Sequence, residues 1–463
     1  MRALRNRGAG GALVTAAWFV AAGLGGCGGS SDATSASAAS RYEDCYDPDR
    51  LTSPDVAGHG CTWLHEALSL QDRLDRDRPL GETQWHATHN SFNSAAYAGV
   101  GYFDFNQQVS IHDQLTLGVR TLELDIHWYP NDATGGEPAP VLCHAQGADL
   151  FHLGCTTKAR LLHDGVQEIA DFLAEPGHED VVLIVGIEDA LDAPDLANGS
   201  HPVPEGHDQA VAIFEEILGA DLYRPPRDGE CHPLRSALTK SEVRAAGARV
   251  ILASGCGEGA AWRGLFFDES GKKKGNDGFT PYPDCDSSFF TTEDYASQWT
   301  RVWEDSTFLS RLIGSDLDPL DGTTLAAMRS CPLNETALDQ LRPDDSRAAA
   351  MVWSWAPGEP RPGEGARCAV SAAQGHFRTE DCRAEHPAAC RVGGDDWLVT
   401  ATAVSFGEAT AACESAGGAS FSTPSRGFDA QRLADAKRAA SVTEVWLAYS
   451  DPSGRGEWVL DDR

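Results

Sequence analysis

From about Gly81 onward, short apolar runs alternate with longer amphipathic stretches. Strands are expected at Gln84–Thr88, Arg120–Ile126, Val141–Cys143, Val181–Ile187, Arg249–Ser254, Thr336–Leu338 and Ala350–Trp355. The clearest helical stretch between them is Ala159–Ala174. There Leu161, Leu162, Val166, Ile169, Ala170 and Leu173 recur at helical spacing, and Gly177 stops the run. Strands separated by helices point to parallel pairing and an α/β fold. A span of about 280 residues favours a closed, TIM-like (β/α) barrel over an open sheet. From Arg361 the pattern changes to Pro, Gly and Cys with few apolar runs, which marks 361–463 as a small Cys-rich appendage.

The chain opens differently. Arg2, Arg5 and Arg7 precede an apolar run from Gly11 to Gly26, too short and too rich in Gly and Ala for a comfortable membrane span. It closes on Leu24-Gly25-Gly26-Cys27, which resembles the lipobox of bacterial lipoproteins. Residues 1–26 are therefore expected to be a lipoprotein signal peptide and 27–40, small and polar, a flexible tether. On this reading 41–360 form the barrel, and the protein is exported and held in the cell envelope (outer membrane or cell surface) through a lipid on Cys27.

Composition narrows the partners. Of 463 residues, 37 are Lys or Arg and 69 are Asp or Glu, a formal net charge of -32. Such an acid excess argues against nucleic acid and against docking on anionic lipid by charge alone, and leaves divalent cations as natural partners. A hydrophobic share of 41% excludes wholesale disorder and a polytopic membrane protein, and a monomer is expected. Thirteen cysteines less Cys27 leave an even number, as expected for disulfides in an exported chain. Cys45 with Cys61 and Cys143 with Cys155 are near neighbours, and Cys368, Cys382, Cys390 and Cys413 cluster in the tail. A zinc site is the competing reading, but no CxxC pair or HxxxH run supports it.

Four segments place ligand-type residues at the ends of apolar strands: Trp85–Ser91, Gly118–Asp125, Val141–His144 and Val182–Asp189. Side chains alternate along a strand, so Thr121, Glu123 and Asp125 share one face and Leu122, Leu124 and Ile126 the other. With the apolar set under the helices, two carboxylates point into the barrel, where they repel unless a proton or cation lies between them. Glu188 ends a strand buried on both faces, at the end where barrel enzymes keep their active sites. Glu123, Asp125, Glu188 and the amide oxygen of Asn90 form a hard-oxygen set suited to Ca²⁺ more than to Mg²⁺. His89 and His144, at two strand ends flanking that set, provide a general base and a general acid. His86 and His127 have the opposite parity, and Arg120 is expected to face the helices with Leu122. Arg301 and Asp339 are placed near the mouth without a role.

The order THN, GVRTLELD, LCH and GIED resembles the catalytic half of phosphoinositide-specific phospholipases C, over roughly residues 80–360. Asp125 stands where the metal-independent bacterial branch has an Arg, so the chain is similar to the calcium-dependent branch. The runs LDQLRPDD and MVWSWAPGEP also resemble the closing strands of bacterial members. The resemblance implies that Asn90, Glu123, Asp125 and Glu188 bind Ca²⁺ and that His89 and His144 are the catalytic pair. It further implies a phospholipid substrate at a membrane surface, cleaved through a cyclic inositol phosphate. In the tail, FRTEDCRAEHPAACR and WLAYSD…GEWV resemble pieces of C-type lectin-like domains in an unusual order; a disulfide-tied cap on the barrel is the rival reading. Two other functions compete. One is a glycerophosphodiester phosphodiesterase, which would normally carry Arg in place of Asn90; the other is a non-catalytic glycan-binding lipoprotein.

Overall fold

A computed structural model describes residues 63–461 apart from 98, 100–103, 145–154, 193–202, 258, 270–272, 275–299, 309–311, 313–319, 332, 344 and 362–364. The leader, Cys27, the tether, Cys45 and Cys61 all lie outside the described residues.

Among the described residues, eleven strands build the main sheet: β1 (Trp85–Thr88), β2 (Thr121–Pro130), β3 (Pro138–Leu142), β4 (Arg160–Leu161), β5 (Leu183–Ala190), β6 (Leu222–Tyr223), β7 (Val250–Ser254), β8 (Phe267–Asp268), β9 (Lys273–Lys274), β10 (Thr300–Trp303) and β11 (Glu335–Leu338). The first strand pairs in parallel with both β2 and the last strand, β11. Neighbours otherwise follow the chain, β2 to β5 to β7 to β8 on one side and β9 to β10 to β11 on the other. First-beside-last is the order of a TIM-like barrel, and the one joint unpaired among the described residues falls between the consecutive strands β8 and β9.

Alternation sorts the apolar residues into two layers. Leu122, Leu124, Ile126, Leu183, Val185, Ile187, Val250 and Leu252 pack outward in a buried layer with Val166, Ile169, Phe172 and Phe214. These last belong to two of the first four described helices, α1 (Trp63–Leu74), α2 (Ile111–Thr116), α3 (Leu162–Ala174) and α4 (Val203–Ile217). Trp85, Ile184, Ile251, Ala253 and Phe267 form the separate inner cluster. That plug fills the barrel below the polar residues that follow it on β2 and β5.

Three sequence expectations are corrected. The helix begins at Leu162 rather than Ala159, because Arg160 and Leu161 pair with β3. Val141–Cys143 belongs to a strand antiparallel to β2, outside the parallel ring. Ala350–Trp355 is no strand: a short helix ends at Ala350, and the buried residues after it run irregularly. Their backbone is satisfied instead by the Gln71 side chain of α1, which accepts from Trp353 N at 2.8 Å and Ser354 N at 3.3 Å. Burial made this run apolar, and burial does not distinguish a strand from a packed loop.

The tail carries an antiparallel sheet of Ala366–Ser371, Phe377–Asp381, Val445–Ser450 and Val459–Leu460. Disulfides join Cys143–Cys155, Cys231–Cys256, Cys368–Cys382 and Cys390–Cys413, so these cysteines hold one another rather than zinc. The tail shares the barrel's core, with Phe377, Val445, Leu447 and Tyr449 in one cluster with Trp353 and Trp355. Arg78 pairs with the fully buried Asp429, which also receives Arg426 at 3.3 Å. At the same joint Gly427 N donates to Gln84 Oε1 at 2.7 Å, and a methyl at Gly427 would stand 2.5 Å from the Arg329 carbonyl oxygen. Since that neighbour is backbone, Gly427→Ala is expected to lower stability by roughly 1–3 kcal/mol through overpacking. Chemical denaturation checks this, and an unchanged midpoint would mean the joint is looser than described.

Candidate active site

The site begins with the register of β2 against β5. Glu123 lies opposite Gly186 and Asp125 opposite Glu188, so the inward faces of two adjacent strands bring three carboxylates together. Each offers one oxygen within 4.8 Å of the others. Asp125 is buried, Glu123 half-buried and Glu188 exposed, so the cluster opens toward solvent from a dry floor. Burial, with the charges of Glu188 and Glu123 beside it, pushes the Asp125 carboxyl up to about 7 despite its bond to His144. Its Oδ1 is buried and has no hydrogen-bond partner among the described residues. An orphaned carboxylate oxygen between two other carboxylates is what a hard cation satisfies, and the all-oxygen donor set fits Ca²⁺.

His144 arrives by an unexpected route. The ten residues of β2 overrun the ring, and the chain returns antiparallel as β3, with Ile126 opposite Leu142. The residue after Cys143 thus comes back beside Asp125, and His144 Nδ1 lies 2.7 Å from Asp125 Oδ2. His144 therefore sits on the returning arm of a hairpin, not at the end of a barrel strand. Burial works against its charge, but Asp125 outweighs it and holds the imidazole above its ordinary pKa.

His89 comes from the ring itself. It continues β1, donating its backbone N–H to Leu338 O, and shares parity with the inward Trp85. Nδ1 stands 3.2 Å from Asp339 Oδ1, and Nε2 lies 3.2 Å from Asn90 Nδ2 and 4.0 Å from Glu123 Oε2. A proton on Nδ1 donated to Asp339 leaves the Nε2 lone pair to accept from Asn90 Nδ2, beside Glu123 at the edge of the cluster. Asn90 has φ +46°, a left-handed turn that Asn tolerates better than most residues. The turn directs its N–H to Glu123 Oε2 at 3.0 Å, placing Asn90 at the cluster's edge.

The opposite-parity histidines lie elsewhere. His86 faces outward near Asp72, Arg120 and Lys240, and burial lowers it to about 4. His127 is buried against the Cys143–Cys155 bridge. Arg120 binds Asp72 at 2.7 Å and the carbonyls of Leu115 and Val119, bracing the outside of the barrel. The Arg301 side chain lies outside what is described.

Sequence reasoning missed the support behind His89. Asp339 follows β11 on the face of Glu335 and Ala337, and takes Ser306 N at 2.7 Å and Asn106 Nδ2 at 3.2 Å. Arg347 then clamps the Asp339 carbonyl and Glu304 at 2.7 Å each. Parity along LDQL was the available signal for Asp339; Asn106 and Arg347 stand on loops or helices with no periodic signal.

Residues 49–345 match the family described as the Rv2075c PI-PLC-like domain. The Mycobacterium tuberculosis protein Rv2075c is 38% identical over 409 residues, 84% of this chain and 80% of its own. The Arabidopsis thaliana PI-PLC X domain-containing protein At5g67130 is 28% identical over 204 residues, 42% of each chain. The phosphatidylinositol-specific phospholipase C from Listeria monocytogenes aligns with 61% of this chain and 97% of its own, at 12% identity and a TM-score of 0.37. With the catalytic barrel matched from before β1 to beyond β11, this chain belongs to the Rv2075c PI-PLC-like domain family.

Proposed function

We propose that this phospholipase C-like phosphodiesterase is calcium-dependent and cleaves phosphatidylinositol-type lipids to diacylglycerol and a cyclic inositol phosphate. The observation that carries the proposal is the cluster of three converging carboxylates, one with an orphaned buried oxygen, that has His89 on one side and His144 on the other.

In this reading Asn90, Glu123, Asp125 and Glu188 hold the ion, which would lower the pKa of the attacking hydroxyl and offset charge on a phosphoryl oxygen. His89 Nε2 takes the proton of the inositol 2-hydroxyl as that oxygen attacks the adjacent phosphorus. Asp339 keeps Nδ1 protonated and steadies the imidazolium that forms, as a buried carboxylate does for a catalytic histidine. Asp125 on Nδ1 holds His144 above its ordinary pKa, and in this reading the imidazolium donates the proton that the departing diacylglycerol oxygen takes up. Lipid attachment at Cys27 would keep the enzyme in the envelope, near such a surface.

The test is a panel of phosphatidylinositol, glycosyl-phosphatidylinositol-anchored protein and glycerophosphodiesters, assayed with Ca²⁺ and with excess chelator. Inositol-lipid cleavage that stops with chelator is expected. Full activity in chelator would remove the ion, and cleavage of glycerophosphodiesters alone would remove the substrate class.

A further inference from the structure

We propose that Asn106 is a positioning residue for His89, acting through Asp339: its carboxamide fixes that carboxylate and thereby the orientation and tautomer of the imidazole. The inference rests on the reading of His89 as general base.

Asn106 is buried and stands on the loop between β1 and α2, far in sequence from β11. Its Nδ2, which also lies 3.4 Å from His89 Nδ1, donates to both Asp339 oxygens at 3.2 Å each, and its Oδ1 accepts from Asn93 Nδ2 at 2.8 Å. These two neighbours settle which end of the amide faces which way. Turned over, the group would press its oxygen on a carboxylate and its NH₂ on another NH₂. The backbone pins the same residue, because Asn106 O accepts from Gln340 N at 2.6 Å, directly after Asp339. Gln107, the next residue, donates through Nε2 to the carbonyls of His89 and Leu338, at 2.8 Å each. One short segment therefore ties the His89 backbone to β11 and the Asp339 carboxylate to its place.

Only a neutral amide meets these demands. A carboxylate at 106 has almost the same shape but offers no donor, and it would set two like charges within hydrogen-bond distance in a buried site. The Asp339 oxygen facing His89 would then be displaced or would hold a shared proton, and the Nδ1–H tautomer would lose its partner.

The test compares the purified full chain with Asn106→Asp, Asn106→Leu and the exchange Asn106→Asp with Asp339→Asn. The first two are expected to lower kcat by on the order of 10- to 100-fold, as loss of an outer partner commonly does, with KM unchanged. The exchange restores an amide–carboxylate pair, so it should recover the melting temperature while kcat stays low, because His89 now faces a neutral acceptor. Nitrogen-15 spectra of the His89 ring at one pH, identified by their absence in His89→Ala, should show the Nδ1–H form in the parent and a mixture in Asn106→Asp. Recovery of kcat along with stability in the exchange would overturn the proposal, as would an unaltered ring spectrum in Asn106→Asp. If His89→Ala kept full activity, the reading of His89 would fail instead; the ring spectra judge Asn106 in either case.

Discussion

His89→Ala is expected to reduce kcat by about 10²–10⁴-fold, the usual worth of a positioned acid or base, while the fold stays intact. The ring caps the inner face of β1 at the rim, where its contacts include Asp339, Asn90, Asn106 and, at 4.0 Å, Glu123, all of them polar. Removing it deletes these polar contacts at the rim. It does leave the buried Asp339 with its Ser306 and Asn106 donors, enough to keep that carboxylate satisfied. His144→Ala should be equally inactive for a different reason, since it removes the leaving-group acid and frees Asp125 Oδ2. Assays beside circular dichroism melts check both variants. An active His144→Ala protein would break the acid–base pairing, and an unfolded His89→Ala protein would make the loss uninformative about catalysis.

Asp125→Asn is expected to have the second largest effect, and on two readouts of opposite sense. In the parent protein three carboxylates face one another around an orphaned oxygen, so the ion-free state carries repulsion. Ca²⁺ should therefore raise the melting temperature by several degrees, since an ion at 100 times its Kd contributes about 2.7 kcal/mol of stability. In Asp125→Asn one charge is gone: the ion-free protein should melt no lower than the parent, yet respond little to Ca²⁺. Turnover should fall too, because Asp125 both lines the cluster and holds His144. A calcium titration by calorimetry gives the binding directly, with no substrate involved. Parent protein that neither binds Ca²⁺ nor gains stability from it would end the metal assignment, whatever its activity.

Much of this site was legible because strand alternation is a strictly local rule. Leu122, Leu124 and Ile126 against Thr121, Glu123 and Asp125 can be read without knowing any neighbour, and His86 and His127 fall on the opposite face as parity requires. The same rule fails for Ala350–Trp355. Its apolar character reflects burial between α1 and the tail, and Gln71 supplies the backbone partners that a neighbouring strand would have supplied. It fails again for His144, whose place beside Asp125 depends on how far β2 overruns the ring before turning back.

By itself, then, the amino-acid order determined the α/β character, the ring of short strands, and which side chains on each strand look inward. Only the tertiary structure decided that Glu188 lies opposite Asp125, that Asp339 and Asn106 stand behind His89, and that the tail is bolted to the barrel through Asp429 and Gly427. The reason is physical. Periodicity is set by covalent geometry within a few residues, whereas register, loop return and buried polar partners are chosen by packing and by the need to satisfy every buried donor and acceptor across the whole chain.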